Sequence, residues 1–199
     1  MIKLFTWTTP NGIKPIILLE ELGLDYETQW VDIGKGDQHE PAYLAVNPNG
    51  KIPALQDGDL TVFESGAILI HLAEKHGKFL PKSGQARLDA LEWLFFQVGG
   101  IGPMFGQLGH FKRAKEQVPY ALDRYTKESE RLYGVLDARL SHVEYLAGEY
   151  GIADMATWGW ANSSDHTGID VAAFPNVKKW LARVGERPAV KRAAAKKPG

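Results

Sequence analysis

The sequence predicts an α/β domain followed by an all-helical domain. Three observations carry that prediction. Strand-like and helix-like segments alternate up to about His76, a break containing Pro81, Ser83 and Gly84 follows, and every apolar pattern beyond it has helical spacing. The expected boundaries are residues 1–80 for the first domain and 85–199 for the second.

In chain order, Ile2 to Trp7 reads as a strand and Thr8 to Gly12 as a polar turn. Asn11 to Leu22 carries Ile13, Ile16, Ile17, Leu19 and Leu22 at helical spacing, and Gly23 can end that helix. Tyr26 to Ile33 is a second strand. Ala54-Leu55-Gln56 and Leu60 to Phe63 flank Asp57-Gly58, a pair suited to a tight hairpin turn. Helical character resumes after Glu64 and runs to about His76, so the order β-α-β, β-β-α describes a small mixed sheet with helices packed on it. After the linker at Gly77 to Gly84, Leu88, Leu91, Phe95 and Val98 recur at three and four, as do Leu122, Tyr125, Ser129, Leu132, Leu136 and Leu140. Further helices are expected at 152–164, 174–186 and 187–196, punctuated by Pro175 and Pro188.

Composition narrows the function. A chain of 199 residues can hold two small cores. Its 23 basic and 24 acidic residues nearly cancel, so no global field favours nucleic acid or a membrane surface. It contains no cysteine, which excludes a disulfide framework, a thiolate-bound metal and a cysteine nucleophile; its only sulfur is in three methionines. No apolar run reaches the roughly twenty residues of a membrane span. The N-terminus enters a strand without a signal-like segment. A cytoplasmic protein with no metal, nucleic-acid or membrane partner is the expectation. The basic stretch Lys191 to Lys197 reads as a solvated helix end.

Three short constellations carry chemistry. Ile52-Pro53 follows Asn49-Gly50-Lys51 and directly precedes a strand. In thioredoxin-like folds a cis proline at that place presents the backbone of the preceding residue to an extended peptide, which pairs with it as an added strand. Glu64-Ser65 stands at a helix start, where free N–H groups receive a carboxylate while Glu64 pairs with an ammonium. A γ-glutamyl group carries both charges on one carbon. The same dipeptide also reads simply as a helix cap. Lys51 and Gln38 can reach a carboxylate at the opposite end of such a ligand, with His39 a lesser candidate, although each singly reads as surface decoration. The third constellation is the turn after the first strand. There the Thr9 hydroxyl and Asn11 amide are donors at a helix start, suited to favouring a thiolate, while Asn11 can equally be a plain cap.

Taken together, Thr9-Pro10-Asn11-Gly12-x-Lys14, Val31-Asp32-Ile33-Gly34-Lys35-Gly36-x-Gln38, Pro48-Asn49-x-Lys51-Ile52-Pro53-Ala54 and Phe63 to Leu69 resemble the glutathione transferase superfamily. The nearer likeness is to its nu class of bacterial glutathione-dependent disulfide-bond reductases. Trp93 to Met104 and Arg131-Leu132-Tyr133 extend the resemblance into the helical half. It implies a thioredoxin-like domain followed by an all-helical C-terminal domain, the glutathione transferase architecture. It implies glutathione as co-substrate, with contacts from Asn11, Gln38, Ile52, Glu64, Ser65 and Arg131 and with Thr9 near the sulfur. It also implies a homodimer with the fourth helix at the interface, and the glycine-rich Trp93 to Phe105 segment fits close packing against another subunit.

The departures are informative too. No tyrosine precedes Tyr26 and no serine precedes Ser65, so the hydroxyl that activates the thiol in Tyr-type and Ser-type transferases is missing from the first turn. Gly151-Ile152-Ala153-Asp154 keeps the aspartate of a capping box and lacks the hydroxyl, at a modest expected cost in stability. Trp93, Phe95, Phe96, Phe105, Phe111, Trp158 and Trp160 read as core and interface, and His110 and His142 as helical residues without catalytic duty. The expected function is glutathione-dependent reduction of small disulfides, with Thr9 and Asn11 catalytic and Asn11, Gln38, Lys51, Ile52, Pro53, Glu64, Ser65 and Arg131 binding glutathione. The alternatives are a conventional transferase or peroxidase acting on small electrophiles and a non-catalytic glutathione-binding regulator.

Overall fold

A computed structural model describes residues 1–198. By the density of internal contacts these fall into two units: Met1–Leu80 together with the segment from Arg187 onward, and Pro81–Glu186. The division differs from the expected 85–199 domain at its far end, because the last helix packs within the first unit.

The first unit holds a four-stranded sheet of order β2-β1-β3-β4, formed by β1 (Ile2–Thr6), β2 (Tyr26–Trp30), β3 (Ala54–Asp57) and β4 (Leu60–Phe63). β1 is parallel to β2 and antiparallel to β3, and β3 is antiparallel to β4. The β3–β4 hairpin turns at Gly58, whose φ of 61° suits a residue without Cβ. β2 is shorter than the expected Tyr26 to Ile33. Its ladder gives way where the Asp32 carboxylate accepts from Gly34 N and turns the chain. Helix α1 (Ile13–Leu22) starts two residues later than expected and tolerates Pro15 because the first helical turn has no use for that N–H. Gly23, in the left-handed region, closes it. A 3₁₀ turn at Asp37–His39 and a single turn α2 (Pro41–Leu44) fill the stretch the sequence left unassigned. Helix α3 (Ser65–His76) packs against α1, and Leu4, Ile17, Leu18, Leu19, Leu55, Ile68, Leu69 and Leu72 are sealed from solvent between these elements.

The second unit is helical: α4 (Gly84–Phe96), α5 (Gly102–Arg113), α6 (Pro119–Leu140), α7 (Ile152–Ala161), α8 (Ser164–Thr167) and α9 (Pro175–Gly185). Between α4 and α5 the chain widens into a π-helical turn at Gln97–Ile101. The expected 152–164 helix breaks into α7 and α8, because Ser163 Oγ donates to the Trp160 carbonyl at the break. His110 lies on α5, whereas His142 lies in the turn after α6. Helix α10 (Pro188–Ala195) belongs to the first unit and packs on α1, where Arg187 meets Glu21 at 2.6 Å and Arg192 meets Glu20 at 2.7 Å. Among the described residues no helix is long and apolar enough to cross a membrane, and no group of three metal-ligating side chains forms.

Candidate functional site

One row of the sheet places the three constellations at the same end. Phe5 stands opposite Ala54, and Ala54 opposite Phe63. β1 therefore leaves the sheet into the Thr9–Asn11 turn where Ile52-Pro53 enters it, and β4 leaves at that end into Glu64-Ser65. The fold follows the alternation of apolar residues; the site is a consequence of register.

At the first turn Thr9 Oγ1 accepts from Gly12 N at 3.0 Å, and Ile13 N donates to the Thr9 carbonyl at 3.1 Å. Thr9 thus supplies a side-chain acceptor at the entry to α1. With its oxygen engaged as acceptor, the threonine hydroxyl retains its hydrogen to donate to an anion. Gly12 is buried beneath this turn; a Cβ there would stand 2.0 Å from the Trp7 carbonyl oxygen, so the requirement is close approach and not a special φ.

The Ile52–Pro53 peptide bond is cis, as the sequence predicts. Ile52 precedes β3 and lies outside its ladder, so the sheet does not use its backbone groups. Two side chains fix the peptide before it. The Lys51 carbonyl accepts from Tyr43 Oη at 2.5 Å and from Asn47 Nδ2 at 2.6 Å. A trans peptide points N–H opposite to C=O, so holding that oxygen also aims Ile52 N–H. Asn47 is buried, and burial pushes the Tyr43 phenol up to about 12, keeping it a donor. Lys51 itself is exposed. Gln38 and His39 stand next to this loop: a Cβ on Gly50 would lie 3.3 Å from the Gln38 carbonyl and 3.4 Å from His39 Nδ1. Gln38 Nε2 sits 3.2 Å from His39 Nε2, and Gln38 Oε1 is buried with no hydrogen-bond partner among the described residues.

At the third constellation Glu64 adopts φ 73°, ψ 118°, a conformation that costs a side-chain-bearing residue about 1–3 kcal/mol. Glu64 is exposed and Ser65, at the first position of α3, is buried. No side chain caps α3, so its first-turn N–H groups are left for an anion. Beneath them lies a residue the sequence reading quoted but assigned no role. Lys14 is 2% exposed and donates from Nζ to Ser65 Oγ at 3.2 Å. Burial lowers its ammonium to about 7, with the nearby Glu64 charge opposing the drop.

The second unit carries Arg131 on α6, more than half exposed and held by Glu128 through two hydrogen bonds of 2.8 Å. It borders a groove of about 530 Å³ with Tyr120 and Arg124. Of the glycines in the Trp93 to Phe105 segment Gly102 packs closely within the unit, as do Gly106 and Gly109 just beyond it. A Cβ on Gly102 or Gly106 would come within 3.3 Å of the Trp160 ring system, and one on Gly109 would overlap His166. They let α5 approach α7 and α8 within the unit.

Two family profiles, the glutathione S-transferase N-terminal domain and the glutathione S-transferase C-terminal domain, match residues 1–74 and 101–188. The chain belongs to the glutathione S-transferase family. Disulfide-bond oxidoreductase YfcG of Escherichia coli K12 is 48% identical over 98% of this transferase chain and 95% of its own. A glutathione transferase family member from Pseudomonas fluorescens, solved with two glutathione molecules bound, is 44% identical with a TM-score of 0.91, covering 97% of this chain and 92% of that one. A glutathione transferase from Pseudomonas putida, solved with one glutathione disulfide per subunit, is 42% identical with a TM-score of 0.91, covering 100% and 92%.

Sequence reasoning did not single out Lys14, Tyr43 and Asn47, which touch Ser65 and the Lys51 carbonyl in the candidate site. Lys14 left a signal, a lone charge inside the apolar run Ile13 to Leu19. Asn47 and Tyr43 left none, since an asparagine and a tyrosine near Pro-Asn-Gly suit any turn.

Proposed function

We propose that this chain is a cytoplasmic glutathione-dependent disulfide-bond oxidoreductase, acting as a homodimer, with the reactive thiolate supplied by bound glutathione. The observation that carries the reading is a site arranged for a thiol-bearing peptide in a chain with no cysteine. The names of similar proteins, an oxidoreductase of disulfide bonds and transferases holding glutathione or its disulfide, support it.

In this reading Glu64, Ser65 and the α3 N-terminus take the γ-glutamyl end, and the Ile52 backbone before Pro53 pairs with the central residue. Gln38 and Lys51 take the glycyl carboxylate. Arg131, in a second subunit, contributes near the interface. Thr9 and Asn11 donate to the sulfur and favour its anionic form. The glutathione thiolate attacks one sulfur of a small disulfide, forming a mixed disulfide and expelling a thiolate that takes up a proton. A second glutathione thiolate attacks the glutathione sulfur of that intermediate. Glutathione disulfide and a second thiolate leave, so two glutathione molecules are oxidised for each disulfide reduced. The protein's part is orientation and charge stabilisation.

Steady-state reduction of a model disulfide tests this. Turnover should require glutathione, should not run on dithiothreitol, and should survive prior iodoacetamide treatment of the protein once the reagent is removed. Asn11→Ala should lower kcat by about a hundredfold, and Thr9→Ala by less, with smaller effects on binding. Wild-type rates and pH profiles in both variants would move sulfur activation to the backbone amides of the same turn. Faster turnover on electrophiles or peroxides than on any disulfide would favour the conventional transferase. Glutathione binding with no turnover on any of them would favour the regulator.

A further inference from the structure

A cation is expensive to bury, and Lys14 is among the largest fully buried side chains in the molecule. Its neighbours along α1, Pro15, Ile16, Ile17 and Leu18, are apolar and buried. One hydrogen bond that Lys14 donates goes to the serine at the first position of α3. An ammonium is a donor only, so Ser65 Oγ must accept from it, and the serine's own hydrogen then has to point elsewhere. The elsewhere is the open start of α3, where the first-turn N–H groups have no side-chain cap.

We propose that Lys14 is a positioning residue for the ligand's α-carboxylate, acting through Ser65 and giving the α3 N-terminus a buried counter-charge. The inference rests on reading this end of the sheet as the γ-glutamyl site and goes beyond it in making that site proton-linked. Burial lowers the Lys14 ammonium to about 7. An anionic carboxylate placed over Ser65 favours the charged form, so the protein takes up a proton as the ligand binds. The elements packed against α1 carry other charged groups, Glu74 and His76 of α3 among them. On α3, His71 and Lys75 hold Asp57. Arg187 and Arg192 hold Glu21 and Glu20 at the far end of α1, where Lys196 also meets Glu20, and Lys191 stands on α10 with them. Glu64 is the charge that acts on Lys14.

The test is titration calorimetry with S-methylglutathione, which keeps both carboxylates and the amine and has no thiol to release a proton. Run at pH 8 in phosphate and in Tris, whose ionisation heats differ, wild type should take up roughly half a proton or more per ligand, and close to none at pH 6. Its affinity should fall by up to about tenfold between those pH values. Lys14→Met should bind more weakly at pH 6 and lose most of the uptake at pH 8. Binding of wild type with equal heats in the two buffers at pH 8, or unchanged uptake in Lys14→Met, overturns the role of Lys14 and leaves the site standing. No binding by wild type at either pH removes the site itself and the proposal with it. Should Lys14→Met fail to fold, the buffer dependence of wild type still decides.

Discussion

At the scale of single residues, the two positions that most constrain the site are Gly12 and Lys14, and they do so for opposite reasons. Gly12 is there because nothing larger fits against the Trp7 carbonyl. Lys14 is there at a cost to stability, which the pH dependence should expose. Its folded-state pKa of about 7 lies below the 10.5 of the unfolded chain. Between those values the unfolded state binds the extra proton, so stability rises with pH in that window, and the full penalty applies below 7. Lys14→Met, which fills a similar volume without charge, should therefore melt above wild type at pH 6–7. The gap should shrink by about 2 kcal/mol on going to pH 9, roughly 4–8 °C in Tm for a chain of this size. Thermal denaturation followed by circular dichroism across pH 6–9 measures it, and a gap independent of pH would mean that Lys14 keeps an ordinary pKa.

At the scale of elements, α7 shows how one carboxylate can replace a missing cap. Gly151 has no side chain to offer, so only half of the capping box exists: Asp154 Oδ2 accepts from Gly151 N at 3.2 Å. Asp154 Oδ1 also accepts from Leu146 N at 3.0 Å and from Trp180 Nε1 at 2.7 Å, tying the preceding loop and α9 to the start of α7. Burial pushes this carboxyl up to about 6 against the pull of those donors. Asp154→Ala leaves three buried donors without an acceptor and should cost about 3–5 kcal/mol, while Asp154→Asn, which keeps an acceptor oxygen, should cost less. Urea titrations of both variants order them, and equal losses would argue that packing and not hydrogen bonding is at stake. The sequence showed that an aspartate belonged at that helix start, because capping is a local matter of spacing. It did not show Trp180 as partner, because a contact 26 residues away leaves no periodic trace. The same division holds elsewhere. The β3–β4 hairpin, the cis Ile52–Pro53 bond and the α6 stripe of Ser129, Leu132, Leu136 and Leu140 were all legible from local pattern. The π-helical turn, the place of α10 on α1, and the hold of Tyr43 and Asn47 on Lys51 were not, since each depends on what another segment brings.

At the scale of the whole molecule, the apolar surface that remains uncovered bears on assembly. Leu88 and Phe95 lie seven residues apart on α4 and so share a face, and they are 54% and 62% exposed. They belong to the repeat read from the sequence as a helix signal, but the face of α4 turned inward is that of Ala90 and Leu94. Leu60 and Phe63 on the edge strand β4 are also exposed, and an open edge of this kind invites pairing or cover. Single exposed leucines need no explanation, whereas two large side chains on one helix face together with an apolar edge strand do. In the proposed homodimer the second copy covers this α4 face, which shares Phe95 with the Trp93 to Phe105 segment. Phe95→Glu puts a charge where burial of an aromatic ring is expected and should weaken dimerisation by at least about tenfold, the equivalent of 1.4 kcal/mol. Far-UV circular dichroism should not change, since Phe95 is solvent-exposed within the single chain. Sedimentation velocity at micromolar concentration should give a dimer for wild type and a shift toward monomer for the variant. A wild-type monomer at that concentration removes the dimer, and with it the contribution of Arg131 from a second subunit.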